Sequence, residues 1–138
     1  MKTIAIIIVI LILILVSLSI YYQIKDHFSQ YDPMILRLKN ILKNIAPEIM
    51  DKINIYKGDK SYTINKRNVY LCLLDEKGKY YNINTLVYVM LHECAHVKSK
   101  SVGHTREFDR IFKNLLKKAE RMKYFDPKNK IPENYCQY

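Results

Sequence analysis

The fold of this chain is decided by residues 92–104, which read HECAHVKSKSVGH and hold three of the four histidines in the protein. On a helix, His92 and His96 are four residues apart and therefore project from one face. Two neutral imidazoles on one face form half of a tetrahedral zinc site. Glu93 lies about 100° round the helix, where a general base can reach a metal-bound water. The stretch therefore predicts a helix that carries a catalytic zinc ion, Zn²⁺.

The other positions of this helix decide between a buried site and a solvated helix face. They are nearly all apolar: Leu86, Val87, Val89, Met90, Leu91, Ala95 and Val97. A helix that is apolar nearly all round is buried, and buried imidazoles and carboxylates need partners, which a metal and its water would provide. The solvated face is therefore the poorer interpretation. We expect Asn84 to cap the helix and Cys94, which points away from His92, to fill the core.

The third metal ligand is a choice between His104 and an acidic residue, Glu107 or Glu120. A second long helix is predicted to start near His104, and its apolar residues mark the face that it turns to the core. They are Phe108, Ile111, Phe112, Leu115, Leu116, Ala119 and Met122. At about 100° per residue, His104 falls within this face, and both glutamates fall about 100° or more from its centre. His104 is therefore the predicted third ligand.

The N-terminal segment is apolar without interruption from Ile4 to Ile20, apart from two serines. At about 1.5 Å per residue, it reaches roughly 26 Å, close to the thickness of a bilayer core. Tyr21 and Tyr22 follow, as aromatic residues often do at a membrane interface. We expect a retained single-pass anchor over residues 1–22, with membrane contact through residues 4–22. A cleaved signal peptide and a buried core helix are the alternatives.

Charge and cysteine content bear on partners and compartment. The formal net charge is +10, which favours anionic partners, but the lysines are spread along the chain and a membrane anchor argues against nucleic acid. The three cysteines are an odd number with no Cys-x-x-Cys pair, so we expect reduced thiols and Cys72 as core filling. With the basic residues after the span, this favours a cytoplasmic C-terminal domain in a host or virion membrane.

The rest of the chain is predicted as a polar connector over residues 23–30 and one α+β domain over residues 31–138. Asp32 and Pro33 start an amphipathic helix that ends near Pro47. Residues 53–56, 61–64 and 69–74 alternate or run apolar between turn residues, and together they predict a small antiparallel sheet. The chain after Asp126 reads as an irregular tail that packs back through Ile131 and Tyr135.

With these elements in place, the domain resembles the WLM and SprT-like group of zincin metalloproteases, which use a third histidine ligand and are also encoded by large DNA viruses. The resemblance rests on five segments: Ser61–Lys66, Val69–Leu73, His92–His96, His104 with Glu107–Phe108, and Pro132 with Tyr135–Cys136. It implies a minimal zincin-like fold in which His92, His96 and His104 bind zinc and Glu93 is the catalytic base. The longer gap before His104 and the absence of tryptophan depart from the usual pattern.

The function expected from the sequence is therefore a membrane-anchored zinc endopeptidase that acts on a protein or peptide substrate. The strand over residues 69–74 would hold an extended substrate by strand addition. One alternative is an inactive zincin-fold membrane or virion protein with a binding or structural role, since a fold does not dictate a function. Another keeps the protease but gives it protein substrates bound to nucleic acid, for which the positive charge is the only support.

Overall fold

The computed structural model describes residues 1–137 of the 138-residue chain as five helices and one three-stranded sheet. The elements in chain order are α1 (Lys2–Ser29), α2 (Pro33–Ile45), α3 (Pro47–Met50), β1 (Asn54–Gly58), β2 (Tyr62–Ile64), β3 (Asn68–Cys72), α4 (Ile83–Lys98) and α5 (Arg106–Arg121). The α+β class predicted from the sequence is confirmed. The core lies between the sheet, α2, α4 and α5.

Helix α1 is long and apolar enough to cross a membrane, and none of its residues is buried against the domain. It continues to Ser29, so residues 23–29 of the predicted connector over residues 23–30 form the last turns of the same helix. The segment contains no proline or glycine to stop a helix. Pro33 is the first residue that does so, because it forces the preceding Asp32 into an extended conformation, with ψ 131°. The apolar span is therefore joined to the domain by the last turns of α1, residues 23–29, which we call the stem helix.

Helix α2 begins and ends as the sequence predicts. The Asp32 side chain accepts a hydrogen bond from the Met34 amide (2.9 Å), and Pro33 occupies the first helical turn. Its buried residues are the predicted apolar ones: Ile35, Leu38, Ile41, Leu42 and Ile45. Pro47 then starts the short helix α3.

The sheet is mixed, not antiparallel as predicted from the strand pattern. Its order is β1-β3-β2, with β1 parallel and β2 antiparallel to β3. The most apolar strand, β3, takes the centre, where both of its edges are paired and Val69 and Leu71 are buried. After β1 the chain turns round the end of β3, where the Cys72 amide donates to Ser61 Oγ (2.9 Å). Gly58 fits this turn because a Cβ there would lie 3.0 Å from the Lys60 carbonyl oxygen.

Helix α4 is the central helix and is buried as predicted, but Asn82 caps it, not Asn84. The Asn82 side chain accepts a hydrogen bond from the Asn84 amide (2.8 Å). Either asparagine could have capped the helix by sequence alone. Asn84 is buried instead and binds the C-terminal segment, accepting from the Asp126 amide (2.7 Å) and donating to the Asp126 carbonyl (3.1 Å).

The cysteines correct another prediction. Cys72 and Cys136 form a disulfide across 64 residues, so Cys72 is not a reduced core residue. The spacing of the cysteines along the sequence does not show this pairing, because the tail returns to β3 only in the folded chain. Tyr135 holds the tail against β3: its hydroxyl forms hydrogen bonds with Ser61 Oγ (2.8 Å) and with the Cys72 carbonyl oxygen. Disulfides are typical of oxidising compartments, so the cysteines no longer favour a cytoplasmic domain. Cys94 is free and buried, as predicted.

The disulfide predicts a definite count of reactive thiols and a definite loss of stability. Alkylation of the unfolded chain without reductant should add one group, at Cys94, and alkylation after reduction should add three, as counted by intact-protein mass spectrometry. Closing a loop of this length stabilises the fold by about 4 kcal/mol in the chain-entropy model. Cys72→Ser, Cys136→Ser and the double variant should therefore unfold at equally lowered temperatures. Additive losses in the double variant would contradict the pairing.

Candidate metal centre

The three predicted ligands meet at one point beside α4. His92 and His96 project from the same face of the helix. His104 Nε2 lies 3.1 Å from His92 Nε2 and 3.2 Å from His96 Nε2. His104 is not on the second helix as predicted: it lies in the preceding loop, since α5 begins at Arg106 and Thr105 caps it. Because the loop ends at the site, the ring still reaches the other two.

The spacing of the nitrogens fits a metal ion. Two imidazoles bound to one zinc at about 2.05 Å in a tetrahedral arrangement have nitrogens about 3.3 Å apart. The ligand atoms of the three histidines all lie within 4.8 Å of one another. Three imidazoles are also the donor set that zinc uses when one coordination position stays open. The residues present therefore fit a zinc ion on donor chemistry and on spacing.

The pKa values of the ligands favour the neutral form that binds metal. Burial, together with the charges of His96 and His104, lowers the pKa of His92 to about 4. Burial, with His104 and Lys66 nearby, also lowers the pKa of His96. Neutral imidazole is the form that coordinates a metal ion. These two rings are thus ready for a metal at neutral pH without losing a proton.

Phe108 forms the floor beneath the three imidazoles. Its ring centroid lies 4.4 Å from that of His96, 4.7 Å from that of His104 and 5.0 Å from that of His92. The ring is almost fully buried, at 2% exposed. The helix pattern predicts Phe108 as a core residue, and the structure adds that it packs against all three candidate ligands.

Glu93 is buried beside the histidines and bonded to a residue that sequence reasoning missed. Thr63 of β2 donates to Glu93 Oε2 (2.7 Å). Burial raises the pKa of Glu93, and the Thr63 hydrogen bond opposes that shift. The raised pKa suits a carboxylate that must take up a proton and give it back. Strand alternation could have indicated Thr63, because it puts Thr63 on the face opposite Tyr62 and Ile64, but not its partner.

Lys66 is a second residue that the sequence did not single out, and it organises the loop that carries His104. Its ammonium donates to three carbonyl oxygens: those of His96 (3.1 Å), Ser99 and Ser101 (3.0 Å). Lys66 lies in the tight turn between β2 and β3, where Asn65 and Lys66 have φ values of 51° and 52°. A lysine whose backbone adopts the left-handed helical conformation destabilises the fold by about 1–2 kcal/mol. The three carbonyl contacts are the local interactions that offset this strain.

Glu107, the rejected ligand, holds the same loop from the other side. Its carboxylate accepts from the Lys100 amide (3.1 Å), the Ser101 amide (3.3 Å) and the hydroxyl groups of Ser99 (3.2 Å) and Ser101 (3.1 Å). Desolvation raises its pKa, but these hydrogen bonds together outweigh it, so the pKa of Glu107 lies below its ordinary value. Lys66 and Glu107 thus clamp the loop through its carbonyls and its amides.

A cavity of about 630 Å³ opens over the histidines. Its walls come from β2, the β2–β3 turn, α4 and the loop before α5: Ser61, Tyr62, Thr63, Asn65, Lys66, His92, Glu93, His96, Ser101, Val102, Gly103 and His104. A volume of this size suits a short stretch of peptide or another ligand of similar bulk. Glu120, the other rejected ligand, lines a different surface, beside Asn84.

Comparison with known proteins finds viral relatives that are named only as uncharacterized proteins. The chain is 43% identical over 91 residues to a protein of Invertebrate iridescent virus 6. The matched residues are 64% of this chain and 51% of the relative. The chain is 42% identical over 89 residues to a protein of Invertebrate iridescent virus 3 (64% and 56%) and 34% identical over 97 residues to one of Acanthamoeba polyphaga mimivirus (65% and 45%). The chain thus spans about half the length of these relatives. Their viral origin fits the viral character expected from the sequence.

No family model and no solved structure matches the chain. The zincin resemblance therefore enters below as a proposal, supported by the site geometry.

The metal centre predicts one zinc ion per chain, with His104 as a required ligand. The fourth histidine, His27, lies on α1 outside the triad and provides a matched control. We expect His104→Ala to weaken zinc binding strongly and His27→Ala to leave one zinc per chain, as measured by elemental analysis of protein purified in parallel. Equal zinc content in the two variants would remove His104 from the ligand set.

The loop clamp predicts that metal affinity depends on residues that do not touch the metal. Partners of this kind change metal affinity by about 10–100-fold when they are removed. Lys66→Met should weaken zinc binding by about that factor, and Glu107→Gln should do the same, measured by competition with a fluorescent chelator. Arg67→Met, a neighbouring change in the same turn, is the control. An affinity in Lys66→Met equal to that of this control would contradict the clamp.

Proposed function

We propose that this protein is a zinc-dependent endopeptidase of the zincin type, held at a membrane by α1. The observation that carries the proposal is the convergence of three imidazole nitrogens beside a buried glutamate, within one cavity. The resemblance to the WLM and SprT-like group supports the same assignment. The viral relatives support a viral setting for it.

The residues of the site divide the chemistry among them. When bound, zinc supplies a water of lowered pKa and polarises the scissile carbonyl. Glu93 takes the proton of the attacking water and delivers it to the leaving amine, which its raised pKa favours. Thr63 keeps the carboxylate oriented while the proton is exchanged, since it bonds one of the two oxygens and leaves the other free to act. Phe108 excludes water from beneath the ligands.

The strand that would hold an extended substrate is β2, not β3 as the sequence suggested. β3 is the central strand, and Asn68, Val69 and Tyr70 are paired on both sides. Among residues 1–137, β2 pairs only with β3, so its other edge can add a strand, and Tyr62 and Thr63 of β2 line the cavity. Addition of a substrate strand there would bring a peptide alongside Glu93.

If Glu93 is the catalytic base, one substitution should reduce peptide hydrolysis without releasing zinc. Glu93→Gln keeps the size of the side chain and its hydrogen-bonding capacity but cannot accept the proton, so zinc should remain bound while peptide hydrolysis falls by about 10²–10⁴-fold. Cleavage is measured by mass spectrometry on a library of random-sequence peptides. His27→Ala again serves as the control, with activity retained.

Two outcomes would contradict the proposal at different points. Undiminished hydrolysis by Glu93→Gln would remove Glu93 as the base. A zinc-loaded wild-type protein that cleaves no member of the library would favour the binding or scaffold role instead.

A further inference from the structure

The outer face of the sheet carries a row of stacked tyrosines next to the end of the stem helix. Tyr56, Tyr70 and Tyr62 lie opposite one another on β1, β3 and β2. The ring centroids are 5.1 Å apart for Tyr56 and Tyr70 and 4.9 Å apart for Tyr70 and Tyr62, and both pairs are stacked. We refer to these three residues as the tyrosine row.

The stem helix is fastened to this row by one hydrogen bond. The Tyr70 hydroxyl donates to Asp26 Oδ2 (2.9 Å), and α1 also contacts β1. Burial raises the pKa of Tyr70, and the bond to Asp26 adds to the shift, so the hydroxyl remains a proton donor at any physiological pH. Because α1 is helical without a break from Lys2 to Ser29, this contact fixes the distance between the apolar span and the sheet.

That distance places the tyrosine row at the membrane surface when α1 spans the bilayer. Asp26 lies four residues beyond Tyr22, which is about 6 Å along the helix. The headgroup layer on each side of a bilayer is about 5–8 Å thick. Tyr70, bonded to Asp26, therefore lies in the headgroup layer or at its outer edge. Tyrosine is enriched at this depth because its ring is apolar and its hydroxyl is polar.

The residues around the row have the chemistry of a membrane-contacting face. Two large side chains on β2 stand exposed on this face: Tyr62, which belongs to the row, and Ile64, two residues on along the strand, are each 43% exposed. Exposed cations lie close to these elements in the chain: Lys25 directly before Asp26, and Lys60 and Arg67 before and after β2. Aromatic and aliphatic side chains accompanied by cations suit the headgroups of anionic phospholipids.

We infer that the tyrosine row and Ile64 form a lipid-contacting face that holds the domain against the bilayer, so that the candidate metal centre opens at the membrane surface. Tyr62 connects the lipid-contacting face with the candidate metal centre, since it belongs to the row and also lines the cavity over the histidines. The inference rests on the membrane-spanning role proposed for α1, and not on the proteolytic activity. Combined with that activity, it favours substrates whose cleaved segment lies next to the membrane.

The chain contains no tryptophan, so a single introduced tryptophan reports its own depth without background. The full chain is reconstituted into vesicles of phosphatidylcholine and phosphatidylserine, with and without phosphatidylcholine brominated near the top of its acyl chains. Three variants are compared. Leu13→Trp lies within the apolar span, Tyr62→Trp lies in the proposed face, and Met122→Trp lies at the exposed end of α5 as the control.

We expect Leu13→Trp and Tyr62→Trp each to lose roughly half of their emission to the brominated lipid, and Met122→Trp to lose almost none. Adding Tyr70→Phe to Tyr62→Trp removes the hydroxyl that bonds Asp26 but keeps the stacked ring. It should reduce quenching at position 62 at least about twofold, because the domain is then free to tilt away from the surface. Quenching of Leu13→Trp should not change.

Each other pattern overturns the inference and identifies where it failed. Quenching of Leu13→Trp alone means that the span is inserted but the domain stands away from the bilayer. No quenching of Leu13→Trp means that α1 does not span, and the inference falls with it. Emission from Tyr62→Trp that shifts with protein concentration but is not quenched means that a second copy of the chain covers the face. None of these results bears on the zinc content or peptide cleavage that test the proposed function.

Discussion

The structure depends on one constraint: the central helix α4 carries a buried glutamate, Glu93, and a half-buried histidine, His92, inside an otherwise apolar core. Leu86, Val87, Met90 and Leu91 are almost inaccessible to solvent, so the helix has no face that could be turned outwards without exposing them. His92 and Glu93 share this helix, and a buried imidazole or carboxylate is costly unless it is partnered. Thr63 of β2 partners Glu93, Phe108 covers His92, and the loop before α5 brings His104 to the open side. The elements that surround α4 are therefore arranged by the needs of its polar residues.

The loop over residues 99–104 shows how the protein itself holds the third histidine of the candidate metal centre in place. A loop that carries a ligand must lose conformational entropy to reach the metal, and that loss weakens binding unless it occurs during folding. Lys66 donates to carbonyl oxygens of the loop and Glu107 accepts from its amides, so both the acceptors and the donors of the loop backbone are held. The hydrogen bonds to Glu107 lie at the N-terminus of α5, where the helix dipole also favours a carboxylate. Glu107, which has the chemistry of a metal ligand, serves the site by ordering the loop.

The disulfide and the stem helix both act on the small sheet beside the site. Three short strands with one face against α4 form a weak unit by themselves. Cys136 is tied to β3, and Tyr135 bonds Ser61 at the start of β2, so the tail stabilises the edge strand that borders the cavity. Asp26 fastens the stem to Tyr70 at the centre of the sheet. The edge strand next to the histidines is thus supported from the tail and, through the stacked tyrosines, from α1.

The sequence by itself determined the features that depend on residues within a few turns of one another. The apolar span of α1, the Asp32–Pro33 start of α2, the burial of α4 and the placement of His92 and His96 on one face all follow from helical spacing and cap chemistry. The choice of His104 over Glu107 was also within reach, because the apolar face of α5 shows which side of the chain turns inwards. The sequence pattern placed His104 on the helix, however, whereas His104 lies in the preceding loop. That loop is held by Lys66, which donates a hydrogen bond to the Ser101 carbonyl oxygen 35 residues further along the chain.

Only the tertiary structure decided the features in which distant segments meet. The parallel pairing of β1 with β3, the Cys72–Cys136 disulfide and the contacts of Thr63 and Lys66 each join residues that no local pattern relates. Strand alternation gives the two faces of a strand but not the neighbour at its edge, and a cysteine or a lysine in a turn looks the same whatever it later contacts. The physical reason is that periodicity reports how an element is buried, whereas pairing depends on where the rest of the chain places its partner.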